Sequence, residues 1–203
     1  METVGSPLTF KEYQRAPAST VADSDAKNKA FPRLVKEISL VMEITRKDEL
    51  DSLPDQLTKT FNAWVALAST LEIDLDEALW HKYPGVCGRC LKEENCVCGP
   101  EHPQVHDREN ELARRRAERW KMPKTIQEHQ FFHNKIYGWQ NDMKFVIQAA
   151  AHLCEELGEV AEEIYLVEKP DNEKLADEMA DIGSWLFALA NRKKINLSAI
   201  ITK

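Results

Sequence analysis

The sequence has few residues that interrupt helices, since only seven of its 203 residues are glycine. It contains no apolar run long enough to cross a membrane as a helix, and no basic-then-apolar secretion leader at its start. Its net charge of −7 leaves no excess of positive charge for binding a nucleic-acid backbone. We therefore expect a cytoplasmic protein whose partners include neither a membrane nor a nucleic-acid polymer.

Apolar residues recur in alternating steps of four and three along the C-terminal part of the chain. One run extends from Val146 to Val167, and a second extends from Leu175 to Leu189. This spacing places one apolar stripe along each helix, as in helical bundles. Pro170 lies between the runs and cannot sit inside a helix, because it lacks an N–H group and clashes with the preceding turn. The pattern predicts an antiparallel helical hairpin within an all-α bundle.

Two acidic pairs flank this turn symmetrically. Glu156 and Asp181 have the same midpoint as Glu159 and Glu178, between residues 168 and 169. In an antiparallel hairpin the four carboxylates therefore lie at one level, on the margin of the apolar stripe. They converge for one hand of the hairpin and diverge for the other, and the sequence leaves the hand open. Converging carboxylates need a cation to stay ionised, and such hard oxygen ligands select Mg²⁺ or Mn²⁺.

The remaining segments differ in composition and periodicity. Residues 1–29 lack periodicity and predict a mobile tail, whereas residues 30–83 predict three helices, the first beginning near Pro32 and the third capped by Asp74. Residues 84–103 form a cysteine-rich loop, and residues 104–124 predict a connecting helix. Residues 125–203 carry the acidic pairs, and Thr125 with Glu128 fits a capping box at their start.

The two halves of the chain resemble each other. The sequence Ala-Leu-Ala-Ser at 66–69 matches Ala-Leu-Ala-Asn at 188–191, and both are followed at the same offset by Ile-Asp-Leu or Ile-Asn-Leu. In this register the four acidic positions are replaced by other residues or only partly kept: Glu37 aligns with Glu156, Leu40 with Glu159, Gln56 with Glu178 and Lys59 with Asp181. We therefore predict that residues 30–83 are a degenerate repeat that has lost most metal ligands.

Four cysteines lie within twelve residues of the central loop: Cys87, Cys90, Cys96 and Cys98. In a chain without a secretion leader, such clustering predicts a tetrahedral Zn²⁺ site more readily than disulfides. Two alternatives stay open. His102 or His106 replaces one cysteine as a ligand, or the four thiols are free and oxidisable.

Residues 135–200 resemble the MazG-type all-α nucleoside triphosphate pyrophosphohydrolases. The signature of that family is EExxE, a spacer and ExxD, which Glu155, Glu156 and Glu159 match first and Glu178 and Asp181 match second. The segment LASTLEIDLDEALWHKYPGVC, at 67–87, resembles the downstream end of such a repeat. The resemblance implies a MazG-like bundle with two related halves joined by the cysteine-rich loop.

The resemblance also implies an activity. It implies Mg²⁺-dependent hydrolysis of a nucleoside or deoxynucleoside triphosphate to the monophosphate and pyrophosphate, as in nucleotide-pool house-cleaning, by a homodimer. The metal ligands would be Glu156, Glu159, Glu178 and Asp181. Glu155 would act as the general base or as a ligand through water, beside Glu156 as the other catalytic residue.

Contacts to the substrate and the alternative functions are less constrained. Trp139 either stacks on the nucleobase or fills the core or an interface. Lys144, Asn191 and Lys193 either reach the phosphates or sugar, or serve the helix ends. The alternative to an enzyme is a nucleotide-sensing protein that keeps the fold without turnover. A carboxylate-bridged iron bundle ranks last, because that design uses Glu-x-x-His, which is missing here.

Overall fold

The computed structural model describes residues 9–15, 26–99, 105–142, 144–169 and 171–201. Within these ranges the chain forms helices and no strand, so the predicted all-α class is confirmed. None of the described helices is both long and apolar enough to span a membrane. The α-helices are α1 (Phe10–Arg15), α2 (Ala26–Lys47), α3 (Leu53–Thr70), α4 (Leu75–Lys82), α5 (Arg108–Ala117), α6 (Ile126–Asp142), α7 (Val146–Tyr165), α8 (Asn172–Arg192) and α9 (Leu197–Ile201).

Helix α8 lies at the centre of the bundle. It pairs with α7 as a hairpin and also packs against α3, α4 and α6. Twelve of its 21 residues are buried, which is more than a helix with a single buried face would have. The α2–α3 hairpin packs on the α7–α8 hairpin through α2 against α7 and α3 against α8. Residues of both hairpins therefore form one continuous apolar core.

The α2–α3 hairpin is compatible with a degenerate repeat. Gln56 Nε2 donates to the Glu37 carboxylate at 2.8 Å and to the Glu37 carbonyl at 2.9 Å, and both side chains are buried. These two residues occupy the positions that align with Glu178 and Glu156. A neutral amide that donates to a carboxylate leaves only one charge to accommodate at this site, so no cation is needed there.

The predicted mobile tail is wrong for the part of it that the structure describes. Residues Phe10–Arg15 form α1, and Phe10 is fully buried against Phe61 and Trp64, with ring centroids 5.8 and 5.6 Å away. Burial of an aromatic ring supplies the apolar contact that orders this short helix. Residues 1–8 and 16–25 lie outside the described residues. Helix α2 begins at Ala26, so Pro32 lies inside the helix and not at its start.

The helix ends mostly follow the predicted caps. The Asp74 carboxylate accepts from the backbone N–H groups of Asp76 and Glu77, as expected for an N-cap. Thr125 Oγ1 accepts from the N–H of Glu128 at 3.1 Å, while the Glu128 carboxylate accepts from Lys124 N. Pro170, the predicted turn residue, lies outside the described residues.

Helices α3 and α8 pack tightly at Gly183, against the indole ring of Trp64. Trp64 Nε1 donates to the carbonyl of Met179 at 2.9 Å, which holds the indole ring against α8. A Cβ atom on Gly183 would lie 2.7 Å from Trp64 Cζ2 and 2.8 Å from Cη2. We expect Gly183→Ala to lower the free energy of unfolding by about 1–3 kcal/mol, because the buried indole has no space to move into.

Chemical denaturation measures this change, and Gly158→Ala is the matched control. An added Cβ on Gly158, also within a helix, would meet no atom within 4 Å. Helix propensity alone should then stabilise that variant by about 0.5–1 kcal/mol. Equal unfolding midpoints for Gly183→Ala and the unchanged protein would contradict the close packing.

Candidate metal centre and its cleft

Three carboxylates of the α7–α8 hairpin meet at one point. Glu156, Glu159 and Glu178 each place an oxygen within 4.8 Å of the others. The hairpin therefore has the hand that makes these acids converge. Glu178 is buried, Glu156 is partly buried and Glu159 is exposed, so the cluster opens to solvent on one side. This set of hard oxygen donors fits Mg²⁺ or Mn²⁺.

The electrostatics of the cluster favour a bound cation. Burial raises the pKa of Glu156 to about 7, and the negative charge of Asp181 adds to that effect. Burial also raises the pKa of Glu178 to about 8, with a hydrogen bond to Glu159 as the next cause. Both shifts show that the ionised carboxylates repel each other in a partly desolvated site. A divalent cation would reverse this penalty.

Asp181, predicted as the fourth ligand, lies beside the cluster and not within it. Its Oδ2 is 2.9 Å from Lys82 Nζ, and its Oδ1 accepts a hydrogen bond from the Tyr83 hydroxyl. Burial raises the pKa of Asp181, although Lys82 and Tyr83 lower it. The ammonium group thus balances the charge of this largely buried carboxylate, and both Asp181 oxygens have partners outside the cluster.

An aromatic side chain orients the cluster from the α8 side. Trp185 Nε1 donates to Glu156 Oε1 at 3.0 Å. The His152 ring stacks on Trp185, with centroids 4.3 Å apart and planes 8° from parallel, and Lys144 Nζ lies 5.5 Å from the indole centroid. His152 Nδ1 is also 2.9 Å from a carboxylate oxygen of the exposed Glu155. Glu155, predicted as a catalytic residue, therefore lies outside the three-carboxylate cluster and contacts His152, which stacks on Trp185.

An open cleft of about 890 Å³ extends from Glu156 and Asp181 to the cysteine loop. Of the predicted substrate contacts, Lys144 lines this cleft. Several lining residues were missed by sequence reasoning: Lys82, Tyr83, His133, Gln140, Asn141 and Ser184. They come from α6, α8 and the end of α4, and they belong to no motif. Nothing in their spacing distinguishes them from the other polar residues of α4 and α6.

Two predicted substrate contacts are placed elsewhere. Asn191 exchanges two hydrogen bonds with Gln130, at 2.8 and 3.2 Å, and so joins α8 to α6. Lys193 follows the last residue of α8 and does not line the cleft. Within this chain neither residue reaches the candidate site. The side chain of Trp139 is outside the described part of the structure.

The hairpin that carries the carboxylate cluster matches the model of a known protein family. Residues 147–203 match the family model of the MazG nucleotide pyrophosphohydrolase domain. The match covers α8, α9 and nearly all of α7, and it includes all three clustered carboxylates. It confirms the resemblance predicted from the acidic signature. Searches of curated proteins and of solved structures give no significant match.

The cysteine loop holds a second group of ligands beside the MazG-type hairpin. Sulfur atoms of Cys96 and Cys98 are 3.1 Å apart, and those of Cys87 and Cys98 are 3.5 Å apart. With Cys90 the four sulfurs all lie within 4.8 Å of one another, and all four cysteines are free. Disulfide sulfurs would be about 2 Å apart, whereas a tetrahedral Zn²⁺ site has sulfurs about 3.8 Å apart.

Backbone N–H groups stabilise the thiolate form of Cys87 in this loop. Burial raises the pKa of Cys87, but N–H groups of Cys90 and Arg89 donate toward its sulfur, and the net pKa is lowered to about 7. Amide-to-sulfur hydrogen bonds favour the charged form, which is the form that binds metals. His106 is not part of this group, and His102 lies outside the described residues.

We expect Mg²⁺ to raise the thermal unfolding midpoint more at about pH 8 than at about pH 6. In the metal-free protein the pKa values of Glu156 and Glu178 lie above the ordinary 4.5. The stability that these carboxyl groups contribute is therefore full below about pH 4.5 and is lost as the pH rises through about 7 to 8. Mg²⁺ restores it by replacing the protons.

Differential scanning calorimetry at the two pH values, with and without MgCl₂, measures the effect. Glu178→Gln removes one titrating group and should reduce the pH dependence. Glu162→Gln, an exposed change on α7 outside the cluster, should leave it unchanged. A Mg²⁺ shift of the same size at both pH values would contradict the prediction.

Proposed function

We propose that this protein hydrolyses a nucleoside or deoxynucleoside triphosphate to the monophosphate and pyrophosphate, with Mg²⁺ or Mn²⁺ as cofactor. One observation carries the proposal: the MazG-type segment brings Glu156, Glu159 and Glu178 within 4.8 Å of one another. Burial and the neighbouring carboxylates raise the pKa values of Glu156 and Glu178, and a bound cation would oppose both effects. The adjoining cleft is large enough to take a nucleotide.

The residues have separable roles in this proposal. Glu156, Glu159 and Glu178 would hold the ion, which when bound neutralises polyphosphate charge and lowers the pKa of a bound water. Trp185 fixes one oxygen of Glu156 by its hydrogen bond. Glu155 is the proposed base that takes the proton of the attacking water.

Positive charge on the cleft wall supports the binding of phosphates. Lys82 and Lys144 both line the cleft, on either side of the carboxylates. Lys82 is paired with Asp181, so it is held at a fixed position. We propose that Lys144 contacts the polyphosphate, because its ammonium group lies over Trp185, next to Glu156. The homodimer and the cytoplasmic location stay predictions.

We also propose that the four cysteines hold a structural Zn²⁺ ion. The chemistry fits, because four thiols within 4.8 Å satisfy a tetrahedral site and no disulfide competes for them. The loop has little regular structure of its own, and it docks on α6 through two backbone bonds, Asn95 N to Lys135 O at 2.9 Å and Cys96 N to Ile136 O at 2.8 Å. A metal would supply the cross-links that such a loop needs.

Pyrophosphate release from a panel of triphosphates tests the activity. We expect Glu156→Gln and Glu178→Gln each to lower the rate by about 100-fold or more, because each removes a charged ligand from the metal. Glu162→Gln should retain full activity. Products should be the monophosphate and pyrophosphate, not the diphosphate and phosphate.

Two results would count against this function. Activity that persists in the Glu156→Ala, Asp181→Ala double variant would refute the site. Nucleotide binding without turnover of any triphosphate would refute the enzyme and favour the non-catalytic, nucleotide-sensing alternative.

Elemental analysis of the purified protein tests the zinc proposal. We expect one Zn²⁺ per chain, lost in Cys90→Ser together with a lower unfolding midpoint, because the loop then lacks a ligand. Cys154→Ser is the control, since Cys154 lies on α7 outside the loop and should not change the zinc content. A zinc-free protein in which all four loop thiols react with a thiol reagent would overturn the proposal.

A further inference from the structure

Two buried polar atoms of the cleft lack a hydrogen-bond partner among the described residues. They are His133 Nδ1 and Asn141 Nδ2. Both side chains are more than nine-tenths buried, at 7% and 8% exposure, and both line the cleft that holds Glu156. A buried donor or acceptor without a partner destabilises the fold, so natural proteins rarely keep one without a role. Two in one cleft indicate a ligand that supplies the partners.

A contact with helix α8 occupies one nitrogen of the His133 ring. Ser184 Oγ lies 2.7 Å from His133 Nε2, so this nitrogen has a partner, whereas Nδ1 has none among the described residues. We assign the ring proton to Nε2, with Ser184 Oγ as its acceptor.

With the proton on Nε2, His133 has a bare Nδ1. Burial lowers the pKa of His133 to about 3, so the ring is neutral at physiological pH. A neutral imidazole with Nε2 protonated has one remaining function, which is to accept a hydrogen bond at Nδ1. The unpaired Nδ2 of Asn141 is a donor. The cleft thus presents one acceptor and one donor without partners.

The cysteine loop forms the wall opposite the carboxylates. Val97 lines the cleft and leaves half of its surface exposed, while Cys87 and Cys98 line it from the same loop. Gln140 Nε2 donates to the carbonyl of Cys98, and Cys96 N donates to Ile136 O. The loop is therefore tied to α6, the helix that carries His133 and Asn141.

We propose that this wall binds the nucleobase of the substrate, with a base N–H donating to His133 Nδ1, a base acceptor receiving Asn141 Nδ2–H, and Val97 of the cysteine loop covering the ring. The inference rests on the proposed function and names the part of the cleft that reads the base. Each common nucleobase has both a donor and an acceptor on its edge, whereas a bare polyphosphate has no base edge at all. The wall therefore separates nucleotides from inorganic polyphosphate.

Calorimetric titration with two kinds of probe tests the proposal. The nucleotide probes are the α,β-methylene analogues of the ribonucleoside and deoxyribonucleoside triphosphates, and the base-free probe is inorganic tripolyphosphate, all with Mg²⁺. We expect the unchanged protein to bind at least one nucleotide analogue more tightly than tripolyphosphate. His133→Gln and Asn141→Leu should each weaken binding of that analogue about tenfold or more and leave tripolyphosphate binding unchanged.

The His133→Gln variant keeps the hydrogen bond to Ser184 and removes the proposed hydrogen bond from the nucleobase to Nδ1. The glutamine amide of His133→Gln can still donate to Ser184, but it has no atom at the Nδ1 position. Asn134→Ala is the matched control, because Asn134 is exposed on the same helix and does not line this cleft. Asn141→Leu should hold or raise the unfolding midpoint, since it removes an unpaired buried amide. A purely structural asparagine would give a lower midpoint.

The covering role of the loop has its own variant. Val97→Ser should weaken nucleotide binding about two- to fivefold by removing apolar contact, with zinc content and tripolyphosphate binding unchanged. Full nucleotide affinity in His133→Gln and Asn141→Leu would overturn the inference. Equal affinity of the unchanged protein for nucleotides and tripolyphosphate would overturn it as well, while leaving the proposed metal site intact. An unchanged protein that binds neither probe would overturn the proposed function itself.

Discussion

The structure depends on how it places like charges at the margin of its core. Helices α7 and α8 pack through apolar stripes, and each clustered acid lies one residue before a stripe position. The packing that buries the stripes therefore also forces Glu156, Glu159 and Glu178 together. Burial and mutual repulsion raise the pKa values of Glu156 and Glu178, so the folding energy of the bundle holds the acids in an arrangement that they would not adopt alone. The packing of the bundle therefore produces a site that a bound cation would stabilise.

The α2–α3 hairpin meets the same constraint without a metal. At the positions that align with Glu156 and Glu178 it has Glu37 and Gln56, and the amide donates directly to the carboxylate. One change from a carboxylate to an amide turns a repulsive pair into a hydrogen-bonded one. The α2–α3 hairpin can therefore bury this pair without a metal ion, because the amide donates to the buried carboxylate from within the fold.

The segment after the α2–α3 hairpin contributes to the candidate site. Helix α4 ends at Lys82, Tyr83 follows it directly, and both residues contact Asp181. The cysteine loop continues directly from Tyr83 and forms the far wall of the cleft. The cleft is thus bounded on one side by the metal-ligand hairpin and on the other by residues of the first half and the loop. The α7–α8 hairpin alone would lack the wall that the end of α4 and the cysteine loop provide.

The helical class, the hairpin and three of the four acids expected to converge could be predicted from the sequence, because apolar periodicity and mirrored spacing are local properties of the chain. The sequence also located the four cysteines, whose closeness in sequence leaves little freedom for their sulfurs. The tertiary structure alone decided the hand of the hairpin, on which the convergence depends. It also decided that Asp181 pairs with Lys82, and that His133 and Asn141 line the cleft. The contacts that hold these residues join distant parts of the chain, since Tyr83 and Asp181 are 98 positions apart and His133 and Ser184 are 51 apart. Their geometry follows from how whole helices pack, which no local spacing encodes.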